Sequence, residues 1–178
     1  GQYLDIYAQA APWSEDPGVD LDRARRVIRA KSASYSVQQP LRLGAAMAGA
    51  EQSGLDACAA FGLPIGEAFQ LRDDVLGVFG DPALTGKPAG DDLREGKRTV
   101  LVTSAMTRAD QEQRSVLRTV LGNPDLQSQD VDRVREILTA TGAVREVEDL
   151  IEERVAEASQ VLDDSPVSPR AAAVLRSL

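Results

Sequence analysis

Two adjacent acids, Asp73 and Asp74, lie in the largely apolar run Phe69-Gln70-Leu71-Arg72-Asp73-Asp74-Val75-Leu76, which has helical spacing. Gln70 precedes them by three and four residues, so the three polar side chains share one helical face. Two carboxylates side by side near a helix C-terminus oppose the helix dipole and repel each other, which costs stability unless a cation joins them. Hard oxygen donors without histidine or cysteine favour Mg²⁺ over zinc. A small number of protein ligands leaves Mg²⁺ positions for water and substrate phosphate. The competing reading is an exposed acidic helix end with nothing bound.

The lysines point the same way. The chain has 17 Arg but only three Lys, at Lys31, Lys87 and Lys97. Arginine thus serves for ordinary surface charge, and lysine is kept where a compact ammonium suits a phosphate oxygen better than a planar guanidinium. Chance clustering is the alternative. The stretch Gly80-Asp81-Pro82-Ala83-Leu84-Thr85-Gly86-Lys87-Pro88 invites comparison with a nucleotide P-loop and fails it. Its glycine spacing is one residue too long, Pro88 stands where a hydroxyl would meet Mg²⁺, and no strand precedes it. A mobile flap carrying Lys87 and Lys97 over a diphosphate accounts for the composition; a glycine-rich connector with solvated charges is the bland reading. Gln2 with Asp5 (i, i+3) and Lys31 with Tyr35 (i, i+4) repeat the pattern of polar groups on one helical face.

The elements that must carry these residues are helical. Proline and glycine concentrate in 12–18 and 77–96, and elsewhere apolar residues recur at helical spacing. Helices are expected over 17–37, 38–49, 54–78, 99–108, 110–121, 130–141 and 143–162. The one over 54–78 is apolar on nearly every side, which predicts burial at the centre of a bundle. No alternating strand pattern persists, so the fold class is all-α.

Composition sets outer limits. The 178 residues, 43% hydrophobic and 27% charged, suit one globular domain and argue against disorder and a membrane span. A formal charge of -8 repels nucleic acid backbones, so no nucleic acid partner is expected. The absence of histidine excludes Ser-His and Cys-His nucleophile pairs and His-ligated metals within these residues. The single cysteine, Cys58, forms no internal disulfide and fits a reducing cytoplasm. Gly1 opens the chain with no signal-peptide pattern, consistent with a start inside a longer protein.

Four blocks occur in order: Gly1-Gln2-Tyr3-Leu4-Asp5, Lys31-Ser32-Ala33-Ser34-Tyr35, Phe69-Gln70-Leu71-Arg72-Asp73-Asp74, and Gly86-Lys87-Pro88-Ala89-Gly90-Asp91-Asp92-Leu93-Arg94-Glu95-Gly96-Lys97-Arg98-Thr99. With these the chain resembles the C-terminal half or more of a trans-isoprenyl diphosphate synthase of the polyprenyl synthetase type. The stretch from Asp73 to Thr99 looks most like the actinobacterial geranylgeranyl or related short-to-medium chain synthases. The resemblance implies an isoprenoid-synthase helical bundle lacking its N-terminal helices, with residues 1–178 forming the C-terminal part of a single domain. It further implies a cytoplasmic homodimer that uses Mg²⁺ to condense an allylic diphosphate with isopentenyl diphosphate, head to tail.

By the same resemblance, Asp73 and Asp74 belong to the second aspartate-rich motif and bind Mg²⁺, with Asp92 touching metal-bound water. Lys31, Lys87 and Lys97 contact the diphosphate, assisted by Ser32 and Gln70. Gln2, Asp5 and Tyr35 line the cavity. Two departures stand out. The motif DDxxD ends here in Gly77, removing one ligand, and the first aspartate-rich motif lies outside these residues, so the chain alone would lack half an active site. The alternatives are a terpene cyclase or squalene-synthase-like enzyme, which the Gly-Lys loop with Lys97 disfavours, and a non-catalytic helical subunit or inactive fragment.

Overall fold

A computed structural model describes residues 1–86, 88 and 90–177. In chain order the elements are α1 (Gln2–Ala10), α2 (Pro17–Val27), a π-helix (Ile28–Gln38), α3 (Gln39–Met47), α4 (Gln52–Phe79), α5 (Pro82–Thr85), α6 (Asp91–Arg94), α7 (Val100–Arg108), α8 (Gln111–Val120), α9 (Ser128–Ala140), α10 (Ala143–Asp163) and α11 (Pro169–Leu175). Among the described residues there is no strand, so the all-α expectation holds. No helix of these is long and apolar enough to cross a membrane.

The helix expected over 17–37 is α-helical only as far as Val27 and then widens into the π-helix. Pro40, just past that segment, lacks an N–H and crowds the carbonyl of the preceding turn, which favours a wider turn before it. Residues four apart fall just short of one π turn, so Lys31 and Tyr35 keep to one face.

Chain contacts group the residues into two compact units. The first comprises Gly1, Ile28–Gln70 and the chain from Leu150 onward. Its core is Phe61, Ala158 and Leu162, with Leu41, Ile65, Val161 and Leu175 packed around it. Burying a side chain such as Phe61 or Leu162 contributes about 1.5–3 kcal/mol. The π-helix lies directly on α4 because α4 has no side chain at Gly62 or Gly66. A Cβ on Gly66 would stand 2.6 Å from the Ala33 Cα, and one on Gly62 would stand 2.8 Å from the Gln38 Cα. The Gln38 side-chain amide donates to the Ala59 carbonyl at 3.1 Å and fixes the register of this contact.

The second unit comprises Gln2–Val27 and Leu71–Asp149. Its centre is α7, in which every residue from Val100 to Met106 is buried. α2, α8 and α9 pack against it, and α1 packs on α2. Thr99 caps α7 by accepting the Val102 N–H at 3.3 Å, and Asp110 and Gln113 form a capping box for α8. The buried Thr103 hydroxyl donates to the Thr99 carbonyl at 2.8 Å, while Ser104 donates to the Glu146 carboxylate. The expectation that the helix over 54–78 is buried all round is corrected here. α4 exposes Phe69 by 70% and Leu76 by 45%, and the helix buried on all sides is α7. Apolar residues around a helix show that its faces are greasy; whether something covers each face depends on the neighbouring elements.

Candidate diphosphate and metal site

α4 carries Gln70, Asp73 and Asp74 on consecutive turns of one uninterrupted helix, ahead of its C-terminal residue Phe79. Asp74 is buried to 5% exposure, whereas Asp73 is exposed. The end of this helix is held firmly. Arg135 of α9 donates from Nε to the Val78 carbonyl at 2.8 Å, satisfying an acceptor that α4 itself cannot, and its cation suits the negative end of the dipole. Arg72, on the exposed side, forms a two-pronged pair with Glu148, both nitrogens at 2.6 Å. The guanidinium pKa is raised by that bond.

Asp92, at the start of α6, is 8% exposed. Its Oδ1 lies 2.5 Å from Lys97 Nζ, which also meets Glu95 at 2.8 Å. Burial by itself would pull the Lys97 pKa down, but hydrogen bonds to Asp92 and Glu95, with their negative charge, outweigh it and hold it above the ordinary lysine range. Lys97 is therefore a fixed ammonium. The Lys97 end of the proposed flap is thus tied down, because the Lys97 N–H also donates to the Asp92 carbonyl at 3.0 Å and the Gly122 N–H to the Leu93 carbonyl at 2.8 Å. Next to it, Arg98 stacks on Trp13 with 4.1 Å from Cζ to the ring centroid. Burial pulls the Arg98 pKa down, with the nearby Asp20 charge acting against it.

The first unit carries Lys31 and Ser32 on the π-helix, both half-buried. The Ser32 hydroxyl donates to the Gln70 Oε1 at 2.6 Å, so two residues named from the sequence meet. Tyr35 is 77% exposed. In the second unit, α1 carries exposed Gln2 and half-buried Asp5, which accepts from Gln9 at 3.2 Å. Lys87 lies outside the described residues.

Whether these groups suit Mg²⁺ depends on the donors. They are carboxylate oxygens without imidazole or thiolate, which matches a hard cation. Among the described residues no three acids are close enough together to form a complete protein cage. That too suits Mg²⁺, which is usually held by one or two carboxylates with water and substrate phosphate filling the remainder. The donor set fits.

Reasoning from the sequence noted Gly77 only as a missing ligand and overlooked the packing role of the α4 glycines. Gly62 and Gly66 set the π-helix against α4, and Gly77 abuts Asp92. Their signal was present: isolated glycines inside a long helix weaken it and so usually have a packing reason.

The pattern that defines the family described as Polyprenyl synthetase matches residues 1–139. A geranylgeranyl diphosphate synthase of Mycobacterium tuberculosis is 30% identical over 169 residues, covering 95% of this chain and 47% of the relative. A geranylfarnesyl diphosphate synthase of Aeropyrum pernix is 34% identical over 148 residues, covering 83% and 45%. In three dimensions the chain is similar to the geranylgeranyl pyrophosphate synthase of Corynebacterium glutamicum, crystallised with isoprenyl diphosphate and magnesium. The TM-score is 0.90 and the identity 43%, over 99% of this chain and 48% of that one. The chain spans under half the length of the curated relatives it matches. The match over residues 1–139, more than three quarters of the chain, shows that this chain belongs to the polyprenyl synthetase family.

Proposed function

We propose that the protein is a prenyltransferase that condenses an allylic diphosphate with isopentenyl diphosphate, head to tail, giving a short-to-medium chain polyprenyl diphosphate such as geranylgeranyl diphosphate. Residues 1–178 are the C-terminal part of its single domain, the part that handles the allylic diphosphate. The observation that carries this reading is the face of α4, where the buried Asp74 adjoins Asp73 in the unit that also holds the charged Lys97. Adjacent carboxylates are the donors that Mg²⁺ takes together with phosphate oxygens, and a fixed ammonium suits the anion that such a cation would bring.

Asp73 and Asp74 would hold Mg²⁺. When bound, the cation neutralises charge on the departing diphosphate oxygens. Lys31, Lys87 and Lys97 contact the same leaving group, with Ser32 and Gln70 as neutral polar partners held in one orientation by their 2.6 Å bond. Donors fixed before the reaction stabilise developing charge without reorganising, which is the main source of rate in such an ionisation. Apolar helix faces keep water from the allylic cation. The proton lost after carbon–carbon bond formation passes to the released diphosphate; residues 1–178 hold no imidazole to take it. The protein acts as a homodimer in the cytoplasm, where a free thiol at Cys58 persists.

The test is Asp73→Ala in the intact protein, assayed for incorporation of labelled isopentenyl diphosphate with an allylic diphosphate and Mg²⁺. Turnover should fall by about 10² or more, with helical circular dichroism unchanged. Unaltered turnover would remove the metal-binding role of α4.

A further inference from the structure

Gly77 lies in α4 three residues after Asp74 and four after Asp73, and so is on the same helix face as both. A side chain there would have no room. A Cβ on Gly77 would overlap Oδ2 of Asp92 and stand 3.0 Å from its Cγ. The Asp92 carboxylate therefore fills the place that a side chain of residue 77 would take. Since Cβ atoms three and four apart on a helix are about 5–6 Å from each other, this acid stands one turn beyond Asp73 and Asp74 on their own face.

Several contacts hold it there. The Gly90 N–H donates to the Gly77 carbonyl at 3.2 Å, fastening the start of α6 to the end of α4. Gly90 itself has a φ of 77° and no space for a Cβ, because Val131 Cγ2 would be 2.7 Å away. Lys97 holds Oδ1 of Asp92 at 2.5 Å, which turns Oδ2 toward α4. Helix propensity alone would favour alanine over glycine at 77.

We infer that Gly77 is a positioning residue: its missing side chain admits the Asp92 carboxylate to the acidic face of α4, so α6 supplies there the acid that α4 lacks. This rests on the reading that the α4 face binds a metal diphosphate. The family resemblance already gives Asp92 metal-bound water to accept from; particular to this chain is the gap at residue 77 through which its carboxylate reaches the α4 face. Such outer partners are worth about 10–100-fold in metal affinity.

The test uses the intact protein with Mg²⁺ and inorganic pyrophosphate in a calorimeter, and no turnover. Gly77→Ala and Asp92→Gly should each weaken binding about tenfold or more, and the double variant Gly77→Ala/Asp92→Gly should be no weaker than Asp92→Gly alone. Gly77→Asp/Asp92→Gly, which moves the acid back onto the helix, should bind more tightly than Asp92→Gly. Binding by Gly77→Ala at the wild-type level, additive losses in the double variant, or no recovery in the exchanged pair would each overturn the inference. If Gly77→Ala does not fold, recovery of folding on adding Asp92→Gly locates the clash, and failure to recover it overturns the inference. The affinity comparison then rests on Asp92→Gly and the exchanged pair. Asp73→Asn separates the two readings. Wild-type pyrophosphate binding in that variant defeats the proposed function, whereas lost binding there with full binding in Gly77→Ala defeats only the role of Gly77.

Discussion

Substituting Gly66 by alanine should destabilise the protein even though alanine is the better helix former. The added Cβ would sit 2.6 Å from the Ala33 Cα and 3.1 Å from both its Cβ and its carbonyl oxygen. Ordinary carbon–carbon contact is about 3.5–4.0 Å, so α4 and the π-helix would have to separate by roughly 1 Å. Neither side can yield by turning a rotamer, because the opposing atoms are backbone and the Cβ of a fully buried alanine. Overpacking of this kind costs about 1–3 kcal/mol, and the relief of glycine's entropy cost in a helix offsets about 0.5–1 kcal/mol. The net loss is on the order of 1–2 kcal/mol, or about 2–8 °C in melting temperature for a chain of this size. Gly44 is the control: it lies in α3 with nothing within 4 Å of its would-be Cβ, so Gly44→Ala should gain about 0.5–1 kcal/mol. Urea unfolding at equal m-values reads both shifts. A Gly66→Ala midpoint at or above that of the wild type would refute the close-packing account. The same separation would stretch the 2.6 Å bond from Ser32 to Gln70, so pyrophosphate binding should weaken alongside stability.

Two more outcomes follow from the charged groups. Arg72→Ala removes a two-pronged but largely exposed pair with Glu148; it should cost no more than about 1 kcal/mol, with the deficit shrinking in 1 M salt, and a larger loss by denaturation would mean the pair is shielded from solvent. Lys97 is raised above its ordinary 10.5, so the stability it adds is complete below about pH 10.5 and lost as pH climbs through the raised value. The difference in unfolding free energy between wild type and Lys97→Met should therefore stay level to that pH and shrink above it; shrinkage already between pH 8 and 10 would show that burial outweighs Asp92 and Glu95.

Much of the helical framework was readable because its ends are chemically marked. Asp110 with Gln113 announces α8, Thr99 announces α7, and Gly142, with a φ of 75°, separates α9 from α10. The π-helix was not readable: over eleven residues its wider turn and an α-helical turn sort the same apolar residues onto nearly the same face. The short helices α5 and α6, hidden in a stretch read as loop, are too brief to show a period.

The amino-acid sequence by itself determined the chemical inventory: paired acids at helical spacing, three lysines among many arginines, no imidazole, and four blocks that mark the family. These are properties of residue type and local spacing, and helical geometry alone turns them into a shared face. Tertiary structure decided which long-range partners those groups take. Asp92 reaches Gly77 across fifteen positions of chain, Ser32 reaches Gln70 across 38, and α7 is the helix buried on every side. Such pairings depend on the path of the intervening loops and on where a missing Cβ leaves room, and no periodicity along the chain records either.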